Sequence, residues 1–185
     1  MTEEELMDAI RHATDERIYA MAELLRRGMD PMIISSATKI DYFFIDKIRN
    51  IVLLGHGSTG KTTFLEAGLL NTKVISRLGK VESGNTVSDY EKMEIEKGYT
   101  INQTLVPVEY NGTKLNFIDT PGFFDFAGEV QGALRAVEAA AILVDASSGV
   151  QVGTEKAWDA CTAAGTPKFF IINKTDKEHV DVAQT

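Results

Sequence analysis

Eight consecutive residues, Gly55-His56-Gly57-Ser58-Thr59-Gly60-Lys61-Thr62, bring glycines, a lysine and hydroxyls together at a spacing suited to holding phosphate. They follow the apolar run Ile51-Val52-Leu53-Leu54, so a buried strand leads into a loop and then into a helix. Glycines let the loop curl until successive backbone N–H groups point at phosphate oxygens. The helix opening near Gly60 adds the positive end of its dipole. Lys61 supplies a point charge to the β- and γ-phosphates, and the Thr62 hydroxyl is a ligand for Mg²⁺. Gly55, His56, Gly57, Ser58, Thr59, Gly60, Lys61, Thr62 and Thr63 form the expected phosphate-binding set, with His56 as a loop filler.

Two further motifs bear on the nucleotide. Asp119-Thr120-Pro121-Gly122 ends the strand pattern 114–118. Asp119 can hold the Mg²⁺ shell through water, and the Gly122 N–H can sense a γ-phosphate without a side chain in the way. Asn173-Lys174-Thr175-Asp176 follows the apolar run Phe169-Phe170-Ile171-Ile172. An ionised carboxylate only accepts hydrogen bonds. Asp176 therefore suits guanine, which offers N1–H and the 2-amino group where adenine has no such pair. Lys174 can lay its stem over the base, and Asn173 can tie this loop to the phosphate loop. Alone, D-T-P-G reads as a turn and N-K-T-D as a solvated loop. In this order, each after its own apolar strand, they read as a GTP/GDP site with Mg²⁺ held by Thr62 and Asp119.

The rest of the chain must position these groups. After residue 50, strand and helix patterns alternate: strand 51–54, helix 61–70, strands 103–110 and 114–119, helix 128–139, strand 141–144, helix 154–164 and strand 168–172. Asn111-Gly112 marks a hairpin between the first two strands after residue 100. The expected class is α/β, a mostly parallel sheet with helices on both faces and ligand loops at strand C-terminal ends. Residues 71–100 read as polar, irregular and mobile. Residues 1–48 read as helical. Thr14 is an expected cap with Asp15 and Glu16 in the first turn, and Ile18, Met21, Ala22 and Leu25 form one apolar stripe. Gly28 closes that helix, Asp30-Pro31 opens a short one, and Asp41 caps another carrying Tyr42, Phe43, Phe44, Ile45 and Ile48.

Bulk properties narrow the function. The 185 residues suit one domain plus an appendage, with 44% hydrophobic and 25% charged residues as in ordinary globular proteins. A net charge of −8 argues against nonspecific nucleic-acid binding. The single cysteine, Cys161, reads as a packing residue in a reducing cytoplasm. The acidic start lacks a signal peptide's basic and apolar regions, and no apolar run reaches membrane-spanning length, so no membrane partner is expected.

From Asn50 to about Asp181 the chain resembles the GTP-binding domain of translational GTPases, and closely elongation factor G and its paralogues. The matching segments include Asn50-Ile51-Val52-Leu53-Leu54-Gly55-His56-Gly57, Arg77-Leu78-Gly79-Lys80-Val81-Glu82, Gly84-Asn85-Thr86-Val87-Ser88-Asp89 and Gly149-Val150-Gln151-Val152-Gly153-Thr154-Glu155-Lys156. The resemblance implies a first switch within 71–100 and a second from Asp119 to about Gly128. Lys97-Gly98-Tyr99-Thr100-Ile101 is similar to the family's R-G-I-T-I, which makes Thr100 a Mg²⁺ ligand when GTP is bound. By the same match Lys61, Thr100 and Gly122 are the catalytic set. Two positions depart. The family's water-orienting histidine after D-T-P-G is Phe123 here, and its loop aspartate is Ser58. Both resemble elongation factor G-like paralogues and imply slow hydrolysis. The resemblance also implies that the domain, residues 49–185, is incomplete at its C-terminus, without the S-A-K loop and the domains that engage the ribosome.

Thr14-Asp15-Glu16-Arg17-Ile18, Leu24-Leu25-Arg26-Arg27-Gly28 and residues 38–48 resemble the helical oligomerisation domain of the carbamoyl phosphate synthetase large subunit. That match implies self-association through residues 1–48 and brings no catalytic residue. The helix spanning 15–27 is expected to lay its apolar stripe on a face of the sheet. Alternatives to a slow GTPase are a nucleotide-dependent binding switch with negligible hydrolysis, and a self-association module with a vestigial nucleotide site.

Overall fold

A computed structural model of the chain describes residues 1–12, 17–40, 42, 48–123, 126–177, 180 and 182. Five strands form one sheet: β1 (Ile48–Gly55), β2 (Thr104–Tyr110), β3 (Thr113–Asp119), β4 (Ala139–Asp145) and β5 (Lys168–Asn173), in the order β2-β3-β1-β4-β5. Among the described residues only β2 and β3 pair antiparallel, joined at Asn111 and Gly112, whose φ values of 49° and 72° give the turn the N-G pair predicts. β3, β1, β4 and β5 run parallel.

Side-chain alternation along β1 divides the interior. Val52 and Leu54 pack with Ile118, Ala140 and Ile142 on one side, against Leu134 of α6 (Ala127–Leu134) and Ala157 and Cys161 of α7 (Val152–Ala164). Leu53 packs the other way, with Ala141 and Leu143, against Leu65 and Leu69 of α4 (Lys61–Asn71). Each such buried Leu contributes about 1.5–3 kcal/mol. β4 is buried nearly throughout because strands flank it on both sides and helices cover both faces. β5 carries an equally apolar run but is an edge strand, and Phe169 and Phe170 are 48% and 47% exposed.

The stretch 71–100 is more ordered than its composition implies. It contains a short 3₁₀ turn, Val81–Ser83, and a helix, α5 (Lys92–Lys97), with a Glu91–Glu94 capping box. Gly98, at φ 69°, ends α5 just before Thr100.

At the N-terminus, α1 (Glu3–Arg11), α2 (Arg17–Arg26) and α3 (Pro31–Thr38) bury Leu6, Ile10, Ala20, Leu24 and Ile34 on one another. The Thr2–Glu5 capping box opens α1, Gly28 at φ 83° follows α2, and Asp30 caps α3 ahead of Pro31. The cap expected at Thr14 with Asp15 and Glu16 in the first turn, the cap at Asp41 and the cluster Phe43, Phe44 and Ile45 lie outside the described residues, as do the side chains of Ile18, Ala22 and Ile48; Ile48, expected on the helix after Asp41, has its backbone in strand β1 instead. Met21 and Leu25 pack into the same small cluster. The expectation that this helix lays its stripe on the sheet is therefore corrected for Met21 and Leu25, which pack with α1 and α3. Among the described residues the helix reaches the sheet-bearing part through hydrogen bonds from Arg26 Nη1 to the carbonyls of Ala164 and Gly165 at the end of α7.

Candidate functional site

The C-terminal ends of β1, β3, β4 and β5 bring the three motifs to one edge of the sheet. β1 hands Gly55 to the phosphate loop at φ 139°, where a Cβ would stand 2.4 Å from the Leu143 carbonyl oxygen. Gly60 has φ 93°, and a Cβ there would lie 2.5 Å from Asn173 Nδ2. Glycine is thus required at both positions by conformation and by close approach. Ser58, at φ 64°, adopts the left-handed conformation without being glycine.

The loop is tied to the N-K-T-D turn as expected. Asn173 Nδ2 donates to the Thr59 carbonyl at 2.9 Å, and Lys174 Nζ donates to the Ser58 carbonyl. Lys174 also pairs with Asp145 at 2.8 Å, which in turn holds Lys177 at 3.2 Å and Ser147. Burial works upward on the Asp145 carboxyl, but Lys174, Ser147 and Lys177 outweigh it and hold it well below the usual range. Asp176 is exposed on the turn after β5 and does not line the cavity described below.

Beside the loop, hydroxyls and carboxylates converge. Thr62 Oγ1, in the first turn of α4, donates to Asp119 Oδ2 at 2.8 Å and lies 3.2 Å from Thr100 Oγ1. Ser88 Oγ donates to the same Asp119 oxygen at 2.9 Å. Asp119 is fully buried, and its Oδ1 has no hydrogen-bond partner among the described residues. Burial raises its pKa, against the pull of Thr62, Lys61 and Ser88. Asp89, 3% exposed, has no well-formed hydrogen bond on either oxygen among the described residues, with the Thr100 hydroxyl a polar neighbour. Its pKa rises to about 6, chiefly through burial, with Thr100 pulling it back and Asp119, Glu94 and Glu66 adding repulsion.

Lys61 Nζ lies across the loop, donating to the carbonyls of Gly55 and His56 at 3.2 and 3.1 Å. Burial draws its pKa down to about 8, against Asp119 and Asp89. Gly122 closes in from the other side, where a Cβ would lie 2.6 Å from Lys61 Nζ and 2.8 Å from Gly57. His56 is packed against Gly153 of α7, whose Cβ would stand 2.6 Å from His56 Cα. Phe123, 45% exposed, packs edge-on to Tyr99 with ring centroids 4.7 Å apart, over Gly57. These groups border a cavity of about 370 Å³ whose walls include Ser58, Lys61, Thr62, Thr63, Asp89 and Thr100.

A buried, hard oxygen set fits a small divalent cation, which favours carboxylate and hydroxyl oxygens over nitrogen or sulfur. The orphaned Asp119 Oδ1 and the two oxygens of Asp89 are acceptors a cation's shell would satisfy. Sequence reasoning did not single out Asp89, Ser88 or the buried Glu66 and Glu94. Asp89 and Ser88 stood in the segment carrying the resemblance, which was the available signal.

A model of the elongation factor Tu GTP binding domain matches residues 46–185. A model of the carbamoyl-phosphate synthetase large chain oligomerisation domain matches residues 1–76. An elongation factor G-like protein of Mycobacterium tuberculosis is 40% identical over 129 residues, 70% of this chain and 18% of that protein. The mitochondrial ribosome-releasing factor 2 of Debaryomyces hansenii is 39% identical over 175 residues, 91% of this chain and 20% of that protein. A crystal structure of a Thermus thermophilus protein aligns with a TM-score of 0.72 at 38% identity, over 75% of this chain and 21% of that one. The chain spans about a fifth of the length of these relatives.

Proposed function

Because the chain belongs to the elongation factor Tu-type GTP-binding family, we propose that it binds GTP and GDP with Mg²⁺ and hydrolyses GTP slowly. The observation that carries this reading is the convergence of Thr62, Thr100, Ser88 and Asp119 beside Lys61. Lys61, the loop amides and Gly122 would hold the phosphates, with Thr62, Thr100 and Asp119 toward the metal. Bound Mg²⁺ would neutralise charge building up on the phosphate oxygens. The chain's residues position the triphosphate and exclude water; catalysis of this kind is mostly positioning and electrostatics. Slow turnover follows from Phe123, which offers no polar atom where an attacking water needs orienting. Asn173, Lys174 and Asp176 would select guanine.

In this reading residues 1–48 form a separate helical unit that ends where Ile48 opens β1, with 49–185 as the nucleotide domain. The helical unit's own apolar cluster supports that division. Exposed Met32 and Ile33 favour its self-association, which gel filtration of the full chain over a concentration series tests. The described residues contain no helix long and apolar enough to cross a membrane, and a cytoplasmic location goes with the proposal. Titration with a fluorescent guanine nucleotide, with and without Mg²⁺ and with ATP as competitor, tests binding. Phosphate release in a single turnover separates slow hydrolysis from a switch that does not hydrolyse.

A further inference from the structure

We propose that Glu66 is the latch fastening segment 79–87 against the phosphate-loop helix, and so a positioning residue for the switch groups that follow it. Glu66 lies on α4 just over one turn past Lys61. It is a carboxylate almost wholly removed from solvent. Oε2 accepts the Gly79 N–H at 2.9 Å, and Oε1 accepts the Val87 N–H at 2.6 Å. One side chain thus closes both ends of the excursion between them. Two amides on one charge make strong, charge-assisted bonds, and no neutral side chain accepts both equally well.

The fit is specific on the other side too. A Cβ on Gly79 would stand 2.5 Å from Glu66 Oε2, 2.7 Å from the Asn85 carbonyl oxygen and 2.9 Å from Thr86 Cα. The excursion supplies Val81 and Glu82 to the cavity wall. Immediately past Val87 come Ser88, bonded to Asp119, and the buried Asp89. Beyond them Glu94 accepts the N–H groups of Ile101 and Asn102, which fixes the far side of Thr100. Both flanks of the switch groups therefore hang on buried carboxylates. Glu66 belongs to the helix that begins with the phosphate lysine, so movement of that helix moves the wall of the cavity. Glu66 touches neither the cavity nor Asp119 in this arrangement, and acts through the segment it holds.

Limited trypsin digestion of the full chain without nucleotide tests the latch. The relevant bonds follow Arg77 and Lys80; bonds after Lys114 in β3 and Lys156 in α7 report on the rest of the fold. In Glu66→Gln one amide faces an NH₂ donor in place of its acceptor and the other keeps only a neutral oxygen, so cleavage after Arg77 and Lys80 should accelerate about ten- to hundredfold while the other two bonds stay unchanged. Gly79→Ala leaves Glu66 in place and should give the same local pattern. Release of labelled GDP, which rests on the proposed nucleotide site, should quicken in both variants. Unchanged cleavage in either variant overturns the proposal. Equal acceleration at all four bonds also overturns it, because Glu66 would then be an ordinary core residue. Should the segment open while the parent chain binds no labelled GDP, the latch stands and the nucleotide reading fails.

Discussion

Replacing Asp89 by asparagine should stabilise the metal-free protein and weaken it once Mg²⁺ and nucleotide are present. Asp89 is buried with no well-formed hydrogen bond on either oxygen among the described residues, and its pKa stands at about 6 against an ordinary 3.8. At about 1.36 kcal/mol per unit, keeping it ionised at pH 7.5 costs about 3 kcal/mol. The folded value is raised, so this group's contribution is complete below the unfolded pKa and is lost as pH climbs through about 6. Asparagine does not titrate and removes that slope. At roughly 2–4 °C per kcal/mol for a chain of this size, the variant should melt about 6–12 °C higher in EDTA at pH 7.5. At pH 4 the two proteins should differ little. Asp119 and Glu138 are shifted the same way by burial and are present in both proteins, so the difference reports Asp89 together with its repulsion of Asp119 and its attraction to Lys61. The assay is a set of thermal melts from pH 4 to 8, in EDTA and in Mg²⁺ with GDP. Equal melting temperatures in EDTA at pH 7.5, or parallel pH profiles, would refute the reasoning.

Three other perturbations probe separate links. Gly122→Ala drives a methyl to 2.6 Å from Lys61 Nζ, and should abolish nucleotide binding in titrations while circular dichroism stays native. Asp176→Asn should weaken GTP by about 1–3 kcal/mol, since an amide donor would face guanine donors; undiminished affinity would show that the turn after β5 does not read the base. Leu24→Ala, at a fully buried position in the N-terminal cluster, should cost that unit about 2–5 kcal/mol by chemical denaturation and leave nucleotide affinity unchanged.

The parts of the site legible in the sequence were those whose chemistry is local. Gly55 and Gly60 announce a phosphate loop because no other residue meets their backbone and contact constraints. Asn173 could be assigned its tie to the loop because N-K-T-D follows the phosphate loop and D-T-P-G in order, each after its own apolar strand, and it reaches Thr59 at 2.9 Å. The sheet followed from apolar runs separated by helical periods. Edge position did not, since the run 169–172 looks as buried as 141–144 and only the strand order distinguishes them. Asp89, Glu66 and Glu94 were invisible for a related reason. Asp89 and Glu94 stand in a polar, glycine-containing stretch that reads as solvated, and Glu66 is a lone acid on a helix whose buried side the sequence does not fix; only tertiary contacts with Gly79, Val87, Ile101 and the Asp119 cluster show them inside. The N-terminal stripe was seen, but periodicity does not say what a helix packs on; its Met21 and Leu25 meet α1 and α3 rather than the sheet.

The central claim is that backbone amides and Lys61 seize a triphosphate whose base is read by a carboxylate after β5. Calorimetric titration of the folded chain in Mg²⁺, first with GTP and then with ATP, tests both halves at once. The account predicts saturable heat with GTP and none with ATP. Silence with GTP, or the same heat from both nucleotides, would contradict it.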